Sequence, residues 1–338
     1  MSSQVSALRL FDLIQSHRVT QVIYVAAKLG LAELLRDGPQ TLGKLAQATR
    51  ADERALGRLL TALSTIGICS RAGEDSYALT EVGACLDGAA EQSFKGWAIL
   101  EAEMVSKSWS GMLESVVTGK TGAQLQGVDD SFELMGRTPE IVDKFNVAMV
   151  ELTRLVTPNV LQSYDFSGIS HLMDVGGGSG GLLGAIAQQN RELRGTVFDL
   201  PRCAEAAGKH LRQIDVGDRV EFVAGDFFKA VPAIADAIIL KSIIHDWDDT
   251  RSITILRNCR KALPDEGKLL LVERLMPEKP TMADEDREHA LSDLSMLRGP
   301  GGLERTEGQY RELLDQSGFD LVTSYSAGRF NVIEARPG

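Results

Sequence analysis

Residues 170–181, SHLMDVGGGSGG, constrain this chain more than any other stretch. Leu172, Met173 and Val175 form the apolar end of a short buried strand, and Asp174 stands at its last turn. Gly176, Gly177, Gly178 and Gly180 follow, before a helical apolar pattern at Leu182, Leu183, Ile186 and Ala187. A strand running through glycines into a helix lets a ligand lie against bare backbone N–H groups, where a β-carbon would block it.

Two cofactors fit the pattern. Gly176, Gly178 and Gly181 satisfy G-x-G-x-x-G, the dinucleotide fingerprint, and Asp199 lies at a suitable distance to hold a ribose diol. The same glycines preceded by Asp174, D-x-G-x-G-x-G, resemble the first motif of S-adenosyl-methionine-dependent methyltransferases. That cofactor carries no pyrophosphate, so acids beside the glycines suit its ammonium and hydroxyls. A tight strand–helix turn that binds nothing is the plain alternative. The glycines alone do not separate the cofactors.

At 338 residues the chain suits two domains, or one with a large helical extension. A hydrophobic fraction of 43% and a charged fraction of 25% are ordinary for a soluble globular protein. The net charge of −11 argues against nucleic acid or an anionic membrane as a partner, since phosphates need clustered Lys and Arg. Cys69, Cys85, Cys203 and Cys259 are far apart, without metal-ligand spacing, and read as thiols in a reducing compartment. Arg9, Asp12, His17 and Arg18 interrupt the apolar core a signal peptide needs, and no apolar run could span a bilayer. The expectation is a cytoplasmic protein with no metal.

Residues 5–36 read as helices, with Gly30 ending a turn. The apolar face at Val5, Leu8, Phe11, Leu13 and Ile14 needs a cover from its own domain or a second subunit. From Thr41 to Leu86 the order is short helix, longer helix with Leu56, Leu59, Leu60, Leu63 and Ile66 inward, hairpin around Gly73, and short helix. That is a winged helix. Residues 1–90 carry nine basic and nine acidic residues, so no basic stripe supports DNA binding, and packing or dimerisation is the plainer role.

Residues 93–164 read as helical and rich in large apolar side chains, among them Trp109, Phe145 and Met149, with TGKTGAQL a loop between helices. Such a stripe is usually core; upstream of a cofactor motif, part of it is expected to line a pocket. After Asp165 strands and helices alternate as in a doubly wound α/β domain, with strands near 170–175, 195–199, 220–224, 236–241, 268–273, 319–325 and 329–335. The expected domains are 1–90, a helical linker and pocket region over 91–165, and 166–338.

GTVFDLP places Asp199 and Leu200 at the carboxyl end of the second strand, and VEFVAGDFF places Gly225, Asp226 and Phe227 at the end of the third. An acid beside an aromatic suits adenine, which tips the balance to S-adenosyl-methionine. In AIILKSIIHDWDD, Lys241 and His245 leave the fourth strand at the same edge. Glu273 ends the fifth strand and Glu304 follows a glycine loop, so both are available to orient an imidazole and raise its basicity. Nothing matches the G-x-S-x-G elbow of a serine hydrolase.

DVGGGSG, FDLP, GDFF, LKSIIHDWDD, NCRKALPDEGKLLLVE and DLSMLRGPGGLERTEGQYRELLDQSGF together resemble the plant-type small-molecule O-methyltransferases and their bacterial relatives, over nearly the whole chain. The resemblance implies a winged-helix dimerisation domain joined to a Rossmann-like methyltransferase sheet. It also implies a homodimer, S-adenosyl-methionine as cofactor with S-adenosyl-homocysteine as product, and a small aromatic acceptor. By position, His245 resembles the family's base, with Glu273 and Glu304 as flanking acids. Asp174, Gly176, Gly178, Asp199, Leu200, Gly225, Asp226, Phe227 and Lys241 fall on the cofactor side. Met149, Phe145, Trp109, Asp246 and Met296 fall on the acceptor side. Ser242 and Gly299 stand where plant members often have an aromatic residue and an asparagine, so the pocket wall differs. Competing readings are a family member doing non-methylating chemistry with the same cofactor, and a small-molecule-sensing regulator.

Overall fold

The computed structural model describes residues 3–338. The chain divides into two compact units, Met1–Ser110 with Thr138–Leu152, and Gly111–Arg137 with Thr153–Gly338. The expected middle region, 91–165, is therefore shared between them.

The first unit opens with helices Ser3–Gln15, His17–Leu29 and Leu31–Leu35. Gly30, at φ 65°, makes the left-handed break between the last two. Thr41 caps helix Leu42–Thr49 by accepting from the Lys44 N–H, and Asp52 caps Glu53–Thr65 through the Ala55 N–H. Leu56, Leu60 and Leu63 recur at helical spacing and are buried with Ala26, Leu31, Leu35, Leu45 and Tyr77. Strand β1 (Gln40–Thr41) joins β2 (Cys69–Arg71) and β3 (Ser76–Leu79) in a three-stranded sheet ordered β1-β3-β2. The sequence pattern shows only the β2–β3 hairpin, because two residues are too few to display alternation. Farther on, Glu151 accepts from the Gly96 N–H (2.9 Å) and the Trp97 N–H (2.7 Å), filling orphan donors at the start of helix Lys95–Leu100. A π-helical turn, Glu101–Val105, follows.

The helical reading of 93–164 is interrupted. Between Thr118 and Ser131 the only regular element among the described residues is the 3-10 turn Gln124–Gln126.

The second unit holds β4 (His171–Val175), β5 (Arg194–Asp199), β6 (Val220–Ala224), β7 (Ala237–Lys241), β8 (Lys268–Glu273), β9 (Phe319–Ala327) and β10 (Phe330–Pro337). Their order is β6-β5-β4-β7-β8-β10-β9, with the first five parallel and β10 antiparallel to both neighbours. This is the doubly wound order with a reversed strand inserted near one edge. Leu172, Met173, Val197, Ile239, Leu240, Leu270, Leu271 and Val272 are fully or almost fully buried, as expected of parallel strands covered on both faces. The order reverses at β4, the switch point beyond whose carboxyl ends doubly wound sheets bind their ligands.

Candidate active site

The parallel register delivers Val175 beside Phe198, Asp199 beside Ala224, and Lys241 beside Val272. Asp174, Asp199, Asp226, Lys241 and Glu273 thus gather at one edge of the sheet.

Gly176 leaves β4 at φ 76°, and a β-carbon there would come within 2.4 Å of the Ile243 side chain. Only glycine fits. Gly178 is also left-handed, at φ 57°, but nothing lies within 4 Å of where its β-carbon would be, so that side of the turn is open. The Gly178 N–H donates to one oxygen of Asp199 (2.8 Å), and the Leu200 N–H donates to the other (2.6 Å). Those two bonds hold the carboxylate rigid while leaving lone pairs for a ligand. Gly225 donates to the Asp199 carbonyl (2.9 Å), and Asp226 accepts from the Phe228 N–H (2.9 Å). Phe227 packs edge-on against Phe228 and Trp247, and Trp247 meets Phe132 at 5.5 Å. Asp174 is buried, which, with Asp199 nearby, pushes its carboxyl up to about 7 despite Lys241. Burial likewise lowers the Lys241 ammonium, against the pull of Asp174 and Glu273.

His245 sits in the 3-10 turn Ile244–Asp246, immediately after β7. Ser242, at φ 54°, swings the backbone out of the strand; a left-handed residue with a β-carbon costs roughly 1–2 kcal/mol. The swing aims the N–H groups of Ile243 and Ile244 at Oε1 of Glu273, 3.1 and 2.9 Å away. Glu273 therefore anchors the backbone of the turn, and its Oε2 lies 3.9 Å from Nδ1 of His245. Glu304 makes the direct bond to the ring, 3.1 Å from Nδ1, and is itself held by the Ser292 hydroxyl (2.7 Å) and by Asp293, which accepts from the Glu304 N–H (2.9 Å). The two glutamates occupy unequal positions around one imidazole.

Burial alone would lower the pKa of His245, but Glu273, Asp246 and Glu304 reverse this and push it up to about 9. Burial would raise Glu304, yet His245, Arg274 and Ser292 hold it down to about 2. Burial, with the other two acids, lifts Asp246 to about 7 against the pull of His245. Glu304 is thus an anion, Nδ1–H donates to it, and Nε2 is the basic nitrogen, with an Asp246 oxygen 3.5 Å off.

Met296 lies one turn beyond Ser292 on helix Asp284–Arg298 of the second unit. Trp109, Phe145 and Met149 belong to the first unit and are half-buried. Sequence reasoning missed Ser292, Asp293, Arg274 and above all Arg305. Their sequence context carries no mark of a site beyond the places of Arg274 and Arg305 directly after Glu273 and Glu304. Among the described residues no group of three or more His, Cys, Asp or Glu side chains is arranged to hold a metal ion.

Acids ending three neighbouring strands around a glycine turn suit hydroxyls and amines better than a pyrophosphate, and the reversed strand sets the sheet apart from the dinucleotide-binding order. Fold and site together define a Rossmann-like methyltransferase. Comparison with known proteins makes this specific: the O-methyltransferase domain matches residues 109–320, and the O-methyltransferase dimerisation domain matches residues 11–87. The chain belongs to the S-adenosyl-methionine-dependent O-methyltransferase family, in the bacterial branch of its plant-type members. It is 39% identical to the phenazine O-methyltransferase PhzM of Lysobacter antibioticus over 97% of this chain and 95% of that protein. The solved structure of LaPhzM superposes with a TM-score of 0.92 at 39% identity, covering 99% of both chains. Human N-acetylserotonin methyltransferase, solved in complex with S-adenosyl-methionine, gives 0.90 at 26% identity over the whole of both chains.

Proposed function

We propose that this enzyme methylates a hydroxyl of a flat aromatic or polycyclic secondary metabolite, of phenol, quinone or phenazine type, with His245 as general base. The observation that carries the proposal is the imidazole itself: a buried ring fixed at Nδ1 by an ionised glutamate, with Nε2 the nitrogen that takes up a proton when the ring is neutral. A phenol has a pKa near ~10 and an ordinary imidazole one near ~6.5, so the proton would move uphill by about 3.5 units, or ~5 kcal/mol. With the imidazole raised to about 9, the neutral ring matches a phenol far better, and that neutral ring forms as the pH rises towards 9.

The donor set fits S-adenosyl-methionine. Asp199 would hold the ribose hydroxyls, Asp226 and Phe227 the adenine, and Asp174 with the open face of the turn at Gly178 the amino-acid end, while Lys241 and Gly225 complete the edge. When bound, this cofactor supplies an electrophilic methyl group. The chain's own work is to align the acceptor oxygen for an in-line approach, exclude water and take the hydroxyl proton at Nε2. Met149, Phe145, Trp109, Asp246 and Met296 are proposed to contact the acceptor. The name of the similar phenazine O-methyltransferase supports a polycyclic acceptor.

We further propose that it works as a homodimer in the cytoplasm. Leu8, Leu10, Phe11, Leu13 and Ile14 are more than half exposed on the first helix, a face that a second copy would cover. All four cysteines are free thiols, as suits a reducing compartment.

The test is calorimetric titration with S-adenosyl-methionine and S-adenosyl-homocysteine, then an activity screen over phenols, quinones and hydroxyphenazines. Cofactor binding with transfer to a hydroxyl is expected. Binding with no transfer to any acceptor would favour the non-methylating reading, and no binding would sink the assignment of Asp199 and Asp226.

A further inference from the structure

Arg305 is only 1% exposed, and its guanidinium lies against the turn that bears His245. Nη1 donates to the Ile244 carbonyl (3.1 Å) and Nη2 to the Trp247 carbonyl (2.9 Å), so the two ends of the turn are tied to one rigid fork. Nε and Nη2 also donate to Oδ1 of Asp249, at 3.1 and 2.7 Å, which neutralises the buried cation. The Ser252 hydroxyl lies 3.3 Å from the Ile244 carbonyl and 3.2 Å from that of Trp247, but its single proton serves one at a time. Arg305 supplies what Ser252 cannot.

The same short segment grips the turn twice more. A β-carbon on Gly302 would fall 2.1 Å from the His245 carbonyl, so backbone presses on backbone there. Glu304, the residue before Arg305, reaches Nδ1 of the imidazole. Backbone contact, carboxylate and guanidinium therefore leave one stretch of chain for one turn, and their spacing sets where the ring stands.

We propose that Arg305 is a positioning residue for methyl transfer: it locks the His245 turn at the distance from which Glu304 bonds Nδ1, and so aims Nε2 at the acceptor hydroxyl. This rests on His245 being the base. It assigns Arg305 a part in turnover and not merely in folding.

Arg305→Lys keeps the charge but loses the fork, and is the decisive variant. In the full-length enzyme kcat should fall about tenfold, and about 100-fold in Arg305→Met, the scale expected when a reacting group is misplaced by an ångström. The S-adenosyl-methionine Kd should stay within about twofold, as Arg305 touches no cofactor-side residue. The acid limb of the kcat profile should move to lower pH in Arg305→Lys, in the direction given by Glu304→Gln. The imidazole is faced by Glu304, by Glu273 from β8 and by Asp246 from its own turn, with Lys241 and Arg274 as nearby cations; losing the Glu304 contact removes one anion that favours its charged form. Asp249→Asn, at a side chain 69% exposed, should show the same shift more weakly, and carries the test if Arg305→Met does not fold. A lowered melting temperature with kcat and the acid limb unchanged in Arg305→Lys and Asp249→Asn would overturn the proposal. Full turnover in His245→Ala would overturn the base assignment beneath it, a separate and recognisable failure.

Discussion

The winged-helix core of the first unit and the His245 cluster of the second are both largely buried, yet they are built from opposite materials. Around Leu56, Leu60 and Leu63 the buried residues are almost wholly apolar, and the charges stay at the rim, as where Glu103 takes contacts from Tyr24, Lys28 and Lys144. Around His245 the buried residues include Glu273, Glu304 and Arg305, with Asp246 only partly exposed. Oε2 of Glu273, Oε2 of Glu304 and Nε1 of Trp247 have no hydrogen-bond partner among the described residues. An apolar core is cheap and insensitive to small displacements of charge. A buried ionic cluster is costly unless every group is paired, so a native protein keeps one only where something other than packing requires it. The contrast teaches that the first region is organised for stability and the second for function at stability's expense.

Substitution can break that contrast most sharply at the imidazole. His245→Ala should lower turnover by about three orders of magnitude, with cofactor affinity by calorimetry little changed. A parallel loss of cofactor binding would mean that the ring supports structure instead. The next largest effect belongs to the other region: Leu60→Ala, at a fully buried site, should cost about 2–5 kcal/mol of stability in denaturant unfolding. Cofactor affinity of the protein that remains folded should be unaltered, and a matching loss of affinity would show that the two regions do not divide their labour.

The smallest effect is in pH. The raised His245 contributes stability that is fully present below about pH 6.5 and lost as pH rises through about 9. Asp174 and Asp246, raised to about 7 by burial, resist ionising in the folded protein, so their cost also grows as pH rises towards 7. Glu103 in the first unit, held at about 2 by Lys144, Tyr24 and Lys28, behaves oppositely: its contribution is present above about 4.5 and lost as pH falls through about 2, as it is for Glu304. The melting temperature should therefore decline between about pH 6.5 and 9, and His245→Ala should flatten that decline. An unchanged slope would mean that the cluster does not govern alkaline stability.

Much of this was legible in the chain itself. The expected strands fall within a residue or two of β4 to β10: most of the parallel strands, covered on both faces, are apolar runs, and the antiparallel edge strand β9 begins with the alternation of a half-covered one. Asp199, Asp226, Lys241 and Glu273 could be placed at one edge because a doubly wound sheet sends all its parallel carboxyl ends the same way. The interruption after Thr118 was only partly visible, as the loop around Gly119 and Gly122 runs on to Asp130.

Sequence by itself determined the class of fold, the glycine turn and the group of residues that meet at the sheet edge, since all three follow from local periodicity and from the handedness of strand–helix connections. Only the tertiary structure decided which partner each group takes. That Glu304 bonds the imidazole while Glu273 holds the backbone depends on a left-handed Ser242 and on chain segments about thirty and sixty residues away. Arg305 is buried beneath the turn for the same reason: an arginine bears no sequence mark of burial, and its guanidinium is satisfied only when two carbonyls and a carboxylate from the other side of the turn arrive together.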